Sequence, residues 1–261
     1  MRSFWAFGLI FGLGLMAQPA QARNTVANYP IEAVRALPTD AIAFSSAEGR
    51  GLFSEALASA GLNGYFPLAE QFHTQSEPAF CGLGSLVVAL NALSIDPGRS
   101  WKGPWRWFAE EMLDCCAPLA DIRERGVDVE EFACLARCNG ADVEIHRGDA
   151  SDLDAWRAAL AVAASGEAVV VASYDRAAMG QSGSGHFSPI GGYHGRKDLA
   201  LVLDVARFKY PPHWVSAERL WRAMEHVDPT TGLARGWIVV RRSTGVRVID
   251  SGACCVAEGA A

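Results

Sequence analysis

The chain is expected to fold as an α+β protein. Apolar residues at helical spacing dominate its first half, and β-branched runs gather in the second. Strands and helices do not alternate in the regular way of a parallel βαβ sheet. Half of the 261 residues are hydrophobic and a fifth are charged, enough apolar material for a sizeable core of one domain or two. The net charge is −6 with no long basic run, which argues against a nucleic-acid partner, whose binding depends on neutralised phosphates.

The elements follow in order. Met1–Ala22 carries Arg2, an apolar run from Phe4 to Ala17, and Ala20-Gln21-Ala22. This is the pattern of a secretory signal peptide, and it implies export, to the periplasm in a bacterium, with no stable membrane span after cleavage. Residues 23–242 are then the folded domain, and 243–261 a tail without pattern. Leu52–Leu62 is weakly helical and ends in Gly61 and Asn63-Gly64. Cys81–Leu93 places Leu83, Leu86, Val87, Leu90 and Leu93 at helical spacing, with Val88, Ala89 and Ala92 on the other side. Such a helix is apolar nearly all round and belongs in the core. Asp96-Pro97-Gly98 is a turn, and Phe108–Cys115 a further helix after three tryptophans. Val129–Cys138 is a helix ended by Asn139-Gly140, and Asp152–Ala164 another, capped by Ser151 or Asp152. Strands are expected at Val143–His146, Ala168–Ser173, His186–Tyr193, Leu199–Ala206 and Gly236–Arg241, with a helix at Ala217–His226.

Cys81 opens the buried helix, so its sulfur faces free N–H groups and the positive end of the macrodipole. That setting lowers a thiol pKa. A thiol nucleophile wants a histidine base and a group that orients it. His186 begins a strand after Ser182-Gly-Ser-Gly185, and Asp204 ends the apolar run Leu201–Leu203. Both are equidistant from Gly195, inside the expected turn, which brings them within a few residues of being cross-strand neighbours. Gln75, six residues before Cys81, is a candidate amide donor to an oxyanion. Neither a phosphate-binding glycine loop nor His-Glu-x-x-His is present.

At these residues the chain resembles the phytochelatin synthases. The resemblance is carried by Gln75–Gly82, Trp101–Phe108, Glu111–Cys116, Gly185–Tyr193 and Leu203–Trp214, and runs from about Gly51 to Arg241. It is to the catalytic half of the plant enzymes and implies a single-domain bacterial form. It further implies a papain-like cysteine protease fold, with a helical N-terminal lobe whose nucleophile helix packs on an antiparallel sheet lobe. The implied reaction is γ-glutamylcysteine dipeptidyl transfer from glutathione through a Cys81 thioester, building phytochelatins for heavy-metal detoxification. Carried over by motif, His186 is the general base and acid, Asp204 the orienter and Gln75 the oxyanion donor. Asp228 and Arg235, with Arg207 and Lys209 as further candidates, would grip the γ-glutamyl end, since one acid and one base read its carboxylate and ammonium. No cofactor is expected for catalysis; cadmium or zinc would enter as a metal–glutathione thiolate substrate or activator. A homodimer is left open.

Two rival readings stand beside this one. The same residues with water as acceptor make a glutathione hydrolase. A metal-buffering protein would instead use Cys115, Cys116, Cys134 and Cys138 as ligands, although their spacing fits no usual zinc pattern. The bland reading of these four is buried structural thiols, with a disulfide between helices in an oxidising compartment. Cys254-Cys255 lie in the tail. The tryptophans 101, 105 and 107 are expected to serve packing.

Overall fold

The structure is a computed structural model that describes residues 34–244; the expected signal segment and Cys254-Cys255 lie outside the described residues. Seven helices and seven strands are described: β1 (Ile42–Ala43), α1 (Ala47–Ala58), α2 (Tyr65–Gln71), α3 (Cys81–Ala92), α4 (Leu119–Arg125), α5 (Val129–Cys138), β2 (Ala141–Arg147), α6 (Leu153–Ser165), β3 (Val169–Asp175), β4 (Gly185–His194), β5 (Leu199–Val202), β6 (His213–Ser216), α7 (Ala217–Met224) and β7 (Gly236–Arg242). The strands form one sheet in the order β1-β6-β5-β4-β3-β7-β2, antiparallel at every pairing. The expected α+β class is observed. No helix among the described residues is long and apolar enough to cross a membrane.

Period-2 alternation explains why both faces of the sheet are covered. In β3, Val169 and Val171 face one core with α3 and α5, while Val170 and Ala172 face a second core with α6 and α7. In β7, Ile238 and Val240 face the first core, and Trp237 and Val239 the second. α3 is buried nearly all round, as its sequence requires. It rests on β4 through the Ser85 hydroxyl, which donates to the Phe187 carbonyl at 3.1 Å. Gly82 lets this helix start so close to its neighbour: a Cβ there would sit 2.2 Å from Val127.

Local capping matches the sequence. Asp128 accepts from the Glu131 N–H, and the Glu131 carboxylate accepts from the Asp128 N–H, a reciprocal box that starts α5. Asp152 caps α6, and Gly166 closes it in the left-handed region.

Four expectations are corrected. The helix over Phe108–Cys115 is reduced to a 3₁₀ turn at Glu110–Met112. Its backbone is bound elsewhere: Asn91 takes both polar groups of Phe108 at 3.1 and 3.0 Å, and Arg99 takes the Met112 carbonyl. β5 stops at Val202 instead of Ala206, and β1 and β6 were not foreseen. The turn at Gly195–Asp198 sets His194 opposite Leu199, as expected, and a bulge between Ile190 and Gly192 shifts the register beyond it by one residue. Finally, the three tryptophans lie largely at the surface, Trp105 being 70 % exposed.

Candidate active site

Cys81 is the first residue of α3 and is half-buried, the free cysteine among the described residues. Its position follows from a buried apolar helix that begins abruptly after a polar loop and leaves its first N–H groups unspent. His186, on β4, is buried close to Cys81, where its charge favours the thiolate. Its Nε2 lies 2.9 Å from Asp204 Oδ1, which leaves Nδ1 to face the sulfur.

The sequence brought His186 and Asp204 together correctly, though not as a cross-strand pair. His186 faces Tyr174 of β3. Asp204 instead lies just past β5, where the chain leaves the sheet and turns the carboxylate inward. Asp204 is fully buried. It also accepts from the Ala206 N–H at 2.9 Å and pairs with the buried Arg176 guanidinium at 2.8 Å. Arg176 carried no motif and was missed; a lone arginine at the end of a strand gives no signal until its partner is seen.

The charges act together. Burial alone would raise the Asp204 pKa, but His186 and Arg176 hold it well below the usual carboxylate range. Burial opposes ionisation of Cys81 as well. The His186 charge and hydrogen bond, the Phe187 N–H and Arg176 outweigh it, and the thiol pKa is lowered. For His186, burial and Arg176 act downward, yet Asp204 and Cys81 prevail and its pKa is raised. Both directions favour a thiolate–imidazolium pair.

The thiol opens into a cavity of about 300 Å³. At this cavity Arg235 donates to Asp228 Oδ2 at 2.9 Å, and both residues line the wall. Gly185 makes room for it: a Cβ there would lie 2.3 Å from the Arg235 guanidinium. Arg125, Asp128, Arg176 and Lys209 add charge to the same wall. Arg207 does not line it. Its guanidinium lies 5.3 Å above the Phe72 ring, and it borders a separate depression with Thr74 and Phe208, so its expected role at this cavity is corrected.

Gln75 is buried beside the site, but its amide is occupied. Nε2 donates to the carbonyls of Glu77 and Pro78 at 2.8 and 2.9 Å, and the residue does not line the cavity. Its backbone N–H donates to Val205, next to Asp204.

The four remaining described cysteines are joined as Cys115–Cys138 and Cys116–Cys134. Two bonds replace the single one expected, and they tie the segment after the 3₁₀ turn to α5. Their sulfurs are spent in these bonds, so the thiolate-ligand reading is corrected. No group of three or more candidate metal ligands occurs among the described residues.

The sequence matches the family profile described as phytochelatin synthase over residues 33–237. A wheat (Triticum aestivum) protein named glutathione gamma-glutamylcysteinyltransferase 1 is 53 % identical over 223 residues, covering 84 % of this chain and 45 % of that one. The Arabidopsis thaliana protein of the same name is 53 % identical over 210 residues, with coverage of 80 % and 43 %. The Schizosaccharomyces pombe glutathione gamma-glutamylcysteinyltransferase is 44 % identical over 207 residues, 79 % of this chain and 50 % of that one. The chain thus spans about half the length of the curated relatives it matches. Among solved structures, a double glycine motif protease from an AMS/PCAT transporter aligns with a TM-score of 0.40 at 15 % identity, over 66 % of this chain and 91 % of that one. The family profile and the identities, extended across most of a chain that carries the Cys81 site, establish that this chain belongs to the phytochelatin synthase family.

Proposed function

We propose that the chain is a papain-like γ-glutamylcysteinyl transferase acting on glutathione, with Cys81, His186 and Asp204 as its catalytic triad. The observation that carries this reading is a thiol at the start of a buried helix, sharing a cavity wall with a histidine that Asp204 holds by Nε2 and with an acid–base pair. In the first step the Cys81 thiolate attacks the carbonyl of the Cys–Gly peptide bond. That bond breaks, the His186 imidazolium gives its proton to the departing glycine nitrogen, and γ-glutamylcysteine stays as a thioester. In the second, the glutamyl amine of another glutathione attacks the thioester. His186 takes the amine's proton and Cys81 leaves as thiolate, which restores the starting ions. With water as acceptor the same steps release γ-glutamylcysteine.

The Cys81 N–H is the oxyanion donor already in place. Gln75 joins it only by giving up one of its two bonds to Glu77 and Pro78. Asp228 takes the glutamyl ammonium and Arg235 its carboxylate, so substrate must partly replace their mutual ion pair. Cadmium or zinc enters as a thiolate of the substrate. Two disulfides suit an oxidising compartment, which supports the exported location read from Met1–Ala22.

The test incubates the purified chain with glutathione, with and without cadmium or zinc, and reads products by mass spectrometry beside Cys81→Ser. A Cys81-dependent ladder of (γ-Glu-Cys)n-Gly is the expected result. Cys81-dependent γ-Glu-Cys and glycine alone would replace transferase by hydrolase, and no Cys81-dependent product would overturn the reading.

A further inference from the structure

Beyond Asp204 lies a run of buried polar groups that the proposed chemistry does not use. Arg176 Nη1 donates to Gln181 Oε1, Gln181 Nε2 lies 3.2 Å from His213 Nε2, and His213 Nδ1 lies 2.9 Å from the Pro211 carbonyl. Arg176, Gln181 and His213 are each at least nine-tenths buried. They come from three places: the end of β3, the β3–β4 loop, and the first residue of β6.

The direction of every bond in this run is determined. A peptide carbonyl can only accept, so His213 Nδ1 carries the proton. In the neutral ring Nε2 is then a lone pair and must accept from Gln181 Nε2. That turns Gln181 Oε1 toward Arg176, where a guanidinium can only donate. A reversed amide would set N–H against N–H at Arg176 and oxygen against a lone pair at His213. Only the neutral ring satisfies all members, and burial, with the positive charges of Arg176 and His186, favours it over the pull of the Pro211 carbonyl and Asp204.

We propose that Gln181 and His213 are positioning residues: His213 orients the Gln181 amide, and Gln181 holds the Arg176 guanidinium against Asp204 at the Cys81–His186 pair. The guanidinium is thereby gripped at Nη1 by Gln181 and at Nη2 by Asp204, with the Tyr210 ring 5.1 Å away. Arg176 also lines the cavity beside Cys81. Loss of the grip lets a buried charge drift from the carboxylate it neutralises and from the thiolate it supports. The assignment rests on Cys81 being the nucleophile, and its test needs no substrate, so it stands or falls apart from the glutathione chemistry.

The experiment is alkylation of Cys81 by iodoacetamide in the full chain, followed on the Cys81 peptide by mass spectrometry, as the ratio of rates at about pH 6 and about pH 9. His213→Met and Gln181→Met, neutral like the residues they replace, are expected to lower this ratio, by up to about tenfold for each unit by which the thiol pKa rises. His213→Gln, which can put an amide oxygen where Nε2 accepts, is expected to restore it. A purely structural role would lower melting temperature without moving the ratio. An unchanged ratio in the folded methionine variants, or His213→Gln behaving like His213→Met, would overturn the proposal. Nitrogen-15 spectra of the wild-type chain decide independently of any variant's folding: a neutral ring protonated on Nδ1 is expected for His213, and a ring protonated on Nε2 overturns it.

Discussion

Two buried carboxylates flank the start of α3, and they do different work. Asp204 is surrounded by ionic partners, Arg176 at 2.8 Å and His186 at 2.9 Å, and is fully buried. Glu110 is 5 % exposed and holds neutral donors, the Ser76 N–H at 2.9 Å and the Ser76 hydroxyl, with the half-exposed His73 at 3.5 Å. The first cluster moves charge onto the thiol. The second ties down a loop, and that loop carries Gln75. A buried carboxylate is therefore no mark of chemistry by itself; what faces it decides whether it tunes a proton or anchors a backbone.

The largest effect that could break this contrast is at Asp204. Asp204→Asn leaves His186 without the negative charge that raises its pKa and leaves Arg176 without its counter-ion. Turnover of glutathione is expected to fall about 10³–10⁴-fold. An uncompensated buried guanidinium costs about 3–5 kcal/mol, read as a lower melting temperature. The pH 6 to pH 9 alkylation ratio of Cys81 should fall too. A variant that keeps the wild-type ratio would show that Asp204 anchors structure, as Glu110 does, and the contrast would be lost.

The sequence made the triad of the first cluster legible and hid Arg176 and the second cluster, for physical reasons. Cys81, His186 and Asp204 stand where periodicity breaks, at the head of an apolar helix and at two strand ends, so their combination and the family motifs around them singled them out. The sheet strands β3, β4 and β7 were readable because burial imposes their composition. β1 and β6 were not: the one is two residues long and the other only four. The hairpin turn at Gly195–Asp198 was legible, but its first residue is not its midpoint, and the bulge between Ile190 and Gly192 left no mark in the pattern. Arg176, Gln181, His213 and Glu110 each look like ordinary polar residues, and their roles exist only in contacts across 28, 32 and 34 positions of chain. Arg207 shows the reverse error, a charge in a matching motif that turns to an aromatic ring instead of the cavity.

A middle-sized effect is expected at Glu110. Glu110→Gln keeps the shape and removes the charge from the bonds to Ser76, at a cost of about 1–3 kcal/mol, read by thermal melting. Turnover falls less than in Asp204→Asn, because Gln75 is loosened while the thiolate–imidazolium pair is untouched. The alkylation ratio of Cys81 stays at its wild-type value. A ratio that falls as far as in Asp204→Asn would merge the two clusters into one electrostatic unit and end the distinction drawn between them.

The smallest effect sharpens the contrast at its edge. The nearby Glu110 carboxylate raises the His73 pKa above its ordinary value, against the opposing effect of partial burial. A histidine whose folded pKa exceeds its unfolded one stabilises the fold fully below about 6.5. That contribution is lost as pH rises through the higher folded value. The melting advantage of the wild-type chain over Glu110→Gln should accordingly be larger at about pH 5.5 than at about pH 8.5. Proton NMR should place the His73 midpoint above 6.5 in the wild type and lower in the variant. The half-exposed ring keeps the gain small, since water screens the pair. An equal advantage at both pH values would mean that His73 and Glu110 are neighbours without coupling. Ser76 would then be left as the partner through which that carboxylate acts, and the anchoring role would rest on neutral donors alone.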